Sequence, residues 1–382
     1  MRLPGSHFFS TSLGITKPSI GFVFDIDGVL LRGNTPLANA ARTLRALSGS
    51  RIPFILLTNG GGELESVKAA KLSKALGFPL HPLQVVLSHT PMRPLCASLS
   101  PHRVLVLGCR DAMGVARAYG LAHAVSATDL LLDDPLRYPF LDVPARVPLP
   151  NREAPIRAVM VMHDPNSWGL EAQVACDVLR GGWPLGSGRG GQAVPMYISN
   201  PDLTFAGAYT GAPRLAGGAF TLALKALWEA THPPGVEPLC VEAFGKPTAR
   251  TFNFAGLRLR QWAAWAGAAG WHRRAAEGPP TLSQEEAAAA AVAEAAATEE
   301  AAGAAAAAAA AALSFERIFM VGDNPAADIA GANAAGGPWR SVLVRTGMWE
   351  GGSNDAAHPA THVAHGVGEG VAAALGALAY FE

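Results

Sequence analysis

The chain has 382 residues, 30 basic and 30 acidic side chains, and only 16% charged residues. At about 150 residues per domain, that is enough for two domains with real cores. Zero net charge argues against non-specific nucleic-acid binding, which needs a positive surface. Cys96, Cys109, Cys176 and Cys240 are scattered, with no CxxC pair or Cys/His cluster. This argues against a zinc or disulfide scaffold and fits a reducing compartment.

The first segment, 1–18, has no acidic residue and carries Arg2, Lys17 and several Ser/Thr. It reads as a disordered end or a transit segment, mitochondrial or plastid in type. IGFVFDID (20–27) is an apolar run ending in two aspartates, the pattern of a strand buried on both faces. Helical spacing follows over 35–47, then a second buried strand over 52–57. Thr58-Asn59-Gly60 ends that strand, and a helix over 63–76 stops at Gly77. Strand, helix, strand, helix predicts a parallel α/β sheet.

Strands at 102–107, 158–162 and 196–199 alternate with helices at 111–119 and 169–179. Residues 88–212 are therefore read as a second α/β module inserted into the first. The core is then 19–87 plus 213–382. In its second part, 218–230 reads as a helix, 239–244 as a strand and 248–257 as the start of another helix. Residues 261–312 hold Trp262, Trp265, Trp271, the Arg273-Arg274 pair and a long Ala/Glu tract. Helix propensity is high there but no apolar stripe is evident, so the segment is read as an external low-complexity insertion, helical or disordered. Alanine is too weakly hydrophobic, and the glutamates too frequent, for a transmembrane segment. Strands at 317–321 and 341–344 resume the core.

Four segments sit at predicted strand ends, where open α/β sheets place ligands. They are Asp25-Ile26-Asp27-Gly28, Thr58-Asn59-Gly60, Gly245-Lys246-Pro247, and Gly322-Asp323-Asn324 with Asp328. Each alone is weak; the set in this order is specific. It suits phosphate-ester cleavage through an aspartyl-phosphate. Asp25 would be the nucleophile and Asp27 the general acid/base. Thr58 would hydrogen-bond a phosphoryl oxygen. Lys246 would neutralise the transferring group and hold Asp25 ionised. So much negative charge requires a cation. Magnesium would take Asp25, the backbone carbonyl of Asp27, and Asp323. Asp328, five residues beyond Asp323, would orient a metal-bound water or Lys246 from behind the ligands, with Asn324 beside it. Asn59 and Gly60, with Asn166, Asn200 and Asp202 of the inserted module, are candidate substrate contacts. For the last three, ordinary turn chemistry is the competing reading. His89 and His163 are read as structural or solvated, because the aspartate mechanism needs no histidine.

DIDGV, LLTNGGG, HDPNSWGL, NPDLTF, GKPTARTFNFA and VGDNPAADIAGAN together resemble the haloacid dehalogenase superfamily of phosphatases, subfamily IIA. Within it they are most similar to the cat eye syndrome critical region protein 5 group. The resemblance implies a Rossmann-like three-layer core with an inserted α/β cap, magnesium dependence and a small phosphorylated substrate. It also implies a homodimer through the cap, a mitochondrial rather than cytoplasmic or plastid location, and a link to glycerophospholipid synthesis. Two departures stand out. Ala327 replaces the Ser or Thr usual before the final aspartate, and Gly60-Gly61-Gly62 replaces bulkier or polar residues. Phosphotransfer to an alcohol on the same fold, and a catalytically silent binding or assembly protein, are the rival readings.

Overall fold

The computed structural model describes residues 9–12, 15–143, 145–188, 190–205, 214–269, 310–349 and 351–376. The strands of its two main sheets are, in chain order, β1 (Ile20–Phe24), β2 (Phe54–Leu57), β3 (Val85–Val86), β4 (Arg103–Leu107), β5 (Ala124–Val125), β6 (Ile156–Val161), β7 (Met196–Ile198), β8 (Val241–Ala243), β9 (Arg317–Gly322), β10 (Trp339–Val344) and β11 (His362–Ala364). The chain divides into two units, one of 1–58, 64–87 and 246–382, the other of 59–63 and 88–245.

The first unit is built on a six-stranded sheet in the order β11-β10-β9-β1-β2-β3, with every pairing parallel. All five residues of β1 are buried. Because side chains alternate across a strand, Phe22 and Phe24 pack into one apolar layer and Val23 into the other. The first layer uses helices Ala40–Gly49, Glu65–Leu76 and Val367–Ala374. The second uses helices Ala249–Ala269 and Ala330–Ala335. The result is a three-layer α/β fold, as the sequence predicts. Gly21 lets the Ala249–Ala269 helix approach β1, since a Cβ there would lie 2.7 Å from Leu259.

The second unit carries a five-stranded parallel sheet, β8-β7-β6-β4-β5. Here the structure corrects the expected boundary at 212. Helix Gly217–Thr231 buries Phe220, Leu224 and Trp228 in the second unit's apolar cluster, together with Leu239. β8 pairs with β7, Met196 opposite Val241, so this strand closes the inserted sheet instead of joining the core. Two parallel α/β sheets share one local pattern, and only the pairing partner tells them apart. The second unit accordingly runs to Gly245.

A second correction concerns 261–312. The helix that starts at Ala249 continues to Ala269. Trp262 and Ala266 are fully buried, and the Trp265 ring lies 4.2 Å from that of His81. Phe252, Ala255, Leu259, Trp262 and Ala266 form a 3-4-3-4 stripe, the spacing of a buried helix face. The stripe escapes notice when the pattern is cut at 261. Trp262 and Trp265 thus belong to the core and not to an external insertion; Trp271, Arg273 and Arg274 lie outside the described residues. Of the segment 1–18, expected to be disordered or a transit segment, residues 1–8 and 13–14 lie outside the described residues, and Phe9–Ser12 pairs antiparallel with Ile15–Pro18. No helix among the described residues is long and apolar enough to cross a membrane.

Candidate active site

The site of the first unit grows from two neighbouring strands. β1 delivers Asp25, whose N–H donates to the Val321 carbonyl of β9 at 2.9 Å. Asp25 Oδ1 accepts from the Ile26 N–H at 2.7 Å. β9 delivers Asp323 one residue past Gly322. A π-helical turn, Pro325–Ile329, then brings Asp328 back beneath the strand end. Asp328 Oδ2 accepts from the Asn324 N–H at 3.0 Å, and Asn324 Oδ1 accepts from the Ala326 N–H at 3.0 Å. Gly322 makes the return possible, because a Cβ there would overlap the Asp328 carboxyl.

Lys246 reaches this group although its preceding strand belongs to the other sheet. Its ammonium pairs with Asp25 Oδ1 at 2.8 Å and Asp328 Oδ1 at 2.7 Å. It also donates to the Leu57 carbonyl at the end of β2, at 3.1 Å. Three oxygens thus lie within 3.1 Å of the ammonium. Thr58 follows directly and is buried, with its N–H on the Val86 carbonyl at 3.0 Å. Asp25, Asp27, Thr58, Lys246, Asp323, Asn324 and Asp328 thus all lie in one unit. Oxygens of Asp25, Asp323 and Asp328 fall within 4.8 Å of one another. The side chain of Asp27 is exposed and stands apart from that trio.

Three buried carboxylates face one ammonium, and their protonation reflects it. Burial pushes the Asp323 carboxyl up to about 8, and the charges of Asp25 and Asp328 add to the rise. Burial likewise raises Asp328 to about 6, against the pull of Lys246. Asp25 is raised by burial despite Lys246. Burial works against the Lys246 ammonium, but Asp25 and Asp328 together outweigh it and hold its pKa above the ordinary lysine value. A set of hard oxygen donors with surplus negative charge, partly taken up by protons, fits a small divalent cation such as magnesium. Ala327 is buried and bears no hydroxyl. Asp328 is nevertheless held at both oxygens, by Lys246 and by the Asn324 N–H.

Asn59, Gly60, Asn166, Asn200 and Asp202 belong to the second unit. There, Asn59 Nδ2 donates to Asp202 Oδ2 at 2.9 Å. Asn200 Nδ2 donates to Asp164 Oδ1 at 3.2 Å, and Asn200 Oδ1 accepts from the Asp202 N–H at 3.0 Å. Asp164 Oδ1 also accepts the Gly217 N–H at 2.7 Å. The Gly60 carbonyl accepts from the Ser88 N–H at 3.1 Å. Asn166 is exposed. Turn chemistry thus accounts for much of what Asn200 and Asp202 do. His89 and His163 are both buried, with His89 Nδ1 2.9 Å from the Tyr119 hydroxyl. The sequence reading missed the turn after β10. Met348 donates its N–H to Asp323 Oδ2 at 2.6 Å, and a Cβ on Gly347 would overlap that carboxylate. The available signal was positional, since RTGM follows a predicted strand end just as the other four segments do.

Residues 22–122 match the family described as haloacid dehalogenase-like hydrolase, and 293–370 match a second one described as HAD-hydrolase-like. A protein of Saccharomyces cerevisiae named as a mitochondrial hydrolase is 33% identical over 363 residues, covering 92% of each chain. The chain belongs to the haloacid dehalogenase-like hydrolase family. A Schizosaccharomyces pombe cardiolipin synthase/mitochondrial hydrolase fusion protein is 32% identical; the match takes in 96% of this chain but 55% of that one. Among solved structures of this fold, a hypothetical protein of Pyrococcus horikoshii superposes with a TM-score of 0.59 at 19% identity, covering 93% and 99% of the two chains. A Mycobacterium tuberculosis glycerol phosphate phosphatase in complex with magnesium gives 0.52 at 19% identity, covering 91% of this chain and 76% of that one.

Proposed function

We propose that this member of the haloacid dehalogenase-like hydrolases is a magnesium-dependent phosphatase acting on a small phosphorylated metabolite. The observation that carries this reading is the Lys246 ammonium bridging Asp25 and Asp328, with Asp323 in the same carboxylate group. The Asp25 carboxylate attacks phosphorus, forming an aspartyl-phosphate as the ester P–O bond breaks. Asp27, exposed one residue beyond Ile26, protonates the leaving oxygen and then takes the proton of the attacking water. Lys246 keeps Asp25 ionised and screens the incoming phosphoryl charge. Thr58, at the end of β2, donates its hydroxyl to a phosphoryl oxygen. Magnesium, when held by Asp25, Asp323 and the Asp27 carbonyl, supplies the charge that lets an anionic ester approach a carboxylate.

The resemblance to a glycerol phosphate phosphatase structure supports a small phosphate monoester as substrate. The yeast relative's name supports a mitochondrial location. The fusion relative's name supports a place in phospholipid synthesis. The test is phosphate release from p-nitrophenyl phosphate, with and without magnesium, by wild type and Asp25→Asn. Release that requires magnesium and disappears in the variant is the expected result. Full activity in Asp25→Asn would sink the mechanism.

A further inference from the structure

We propose that the turn 345–348 is a strap that positions the cation-binding oxygens, with Thr346 and Gly347 as its positioning residues; this rests on the reading of the site given above. The turn leaves β10, which neighbours β9, which neighbours β1. It therefore starts beside the two strand ends that carry Asp323 and Asp25.

Three observations converge on the same groups. First, the Met348 N–H donates to Asp323 Oδ2 at 2.6 Å, which sets the direction of that carboxylate. Second, the Thr346 hydroxyl donates to the Gly28 carbonyl at 2.5 Å. The Gly28 N–H donates to the Leu31 carbonyl at 2.7 Å. In a trans peptide the N–H and C=O point opposite ways, so this second bond aims the Asp27 carbonyl. Thr346 locks the next peptide plane, and Gly28 is pinned on both sides. Third, neither glycine of the pair admits a side chain. Gly28 has φ +83°, a backbone that L side chains rarely adopt. A Cβ on Gly28 or on Gly347 would overlap the Asp323 carboxylate. The carboxylate fills a slot that two missing side chains create. The exposed Arg32 holds the strap from outside, its Nη2 donating to the Thr346 carbonyl at 2.9 Å.

A small cation with strict coordination geometry gains most from oxygens that are already aimed. The bonds of the strap end on the Asp323 carboxylate, one of the ligands assigned above, and on the Gly28 carbonyl, one peptide beyond the Asp27 carbonyl that is a second.

The experiment is calorimetric titration of magnesium into the full chain. It compares wild type, Thr346→Val, Thr346→Ser, Gly347→Ala and Asp323→Asn, each also melted in metal-free buffer. Thr346→Val keeps the shape and deletes the donor; Thr346→Ser keeps the donor. Thr346→Val and Gly347→Ala are expected to weaken magnesium binding by about 10–100-fold, the usual effect of losing a ligand's support. Thr346→Ser should bind like wild type, and the metal-free melting of Thr346→Val should fall only by the loss of one hydrogen bond. If Gly347→Ala does not fold, the Thr346 pair decides alone. Wild-type affinity in Thr346→Val, or equal weakening in Thr346→Val and Thr346→Ser, overturns the strap. Undiminished binding in Asp323→Asn overturns the site reading beneath it. The two failures are therefore separable.

Discussion

The two units are both parallel α/β sheets, yet their strand ends hold polar groups in opposite ways. In the second unit the polar side chains satisfy one another. Asp164 takes the Gly217 N–H and Asn200, while Asp202 takes Asn59. In the first unit Asp25 and Asp328 share one ammonium with Asp323 close by, and Asp323 is pushed up to about 8 by burial and its neighbours. A satisfied network rigidifies a loop. An electrostatically unbalanced one is held in place by the surrounding fold and is ready for a charged ligand. This contrast is why the proposed chemistry is assigned to the first unit.

The sharpest way to break this contrast is Asp25→Asn. In the first unit it should reduce phosphatase turnover by a thousandfold or more, roughly the scale of losing a nucleophile, as measured with an aryl phosphate. Metal-free melting should hold steady or rise, because one of three crowded carboxylates becomes neutral. Next is Lys246→Met, which leaves Asp25 and Asp328 buried without their cation. A loss of about 3–5 kcal/mol in denaturant unfolding is expected. Combining it with Asp328→Leu should restore part of that loss; no restoration would show that the pair is not the cause.

On the opposite layer of the same sheet, His81 is lowered to about 4 by burial, with Arg258 adding to the effect. The unfolded chain then binds the proton more tightly than the folded one. Stability from His81 is complete above about 6.5 and is lost as pH falls toward 4, by at most about 3 kcal/mol. His81→Gln should flatten that part of the stability profile.

Asp323 has the reverse sign. Its folded pKa lies above its unfolded value, so without metal it favours the folded state less as pH rises from about 4 to 8. Magnesium must displace the proton held below about 8. Its affinity should therefore fall by up to about tenfold per unit as pH drops below that point. A flat titration between pH 6 and 8 would show that Asp323 holds no proton there for the metal to displace. The smallest effect is expected in the second unit. Asp164→Ala removes an acceptor from two donors and should cost about 1–2 kcal/mol, without changing magnesium binding.

Much of the site was legible because strand ends are legible. A buried apolar run that stops at an aspartate marks where a parallel sheet presents its ligands, and Asp25, Thr58 and Asp323 are placed this way. The pairing of Lys246 with Asp25 and Asp328 was readable as charge balance. Helix Ala249–Ala269 was readable too, had its stripe been followed past 261 to Trp262 and Ala266. The membership of β8 was not readable, since its residues suit either sheet. Nor was the self-satisfaction of Asn200 and Asp202, whose turn sequences look the same whether they face a ligand or each other.

The amino-acid sequence by itself determined the alternation of strands and helices, the buried runs, and the acidic and lysine residues at their ends. Local periodicity and residue chemistry are properties of short segments, so they survive without coordinates. Tertiary structure alone decided that β8 closes the second sheet and that Gly28 and Gly347 form a slot for Asp323. Gly28 and Gly347 are 319 positions apart in sequence, and no short-range pattern encodes the space two side chains leave by being absent.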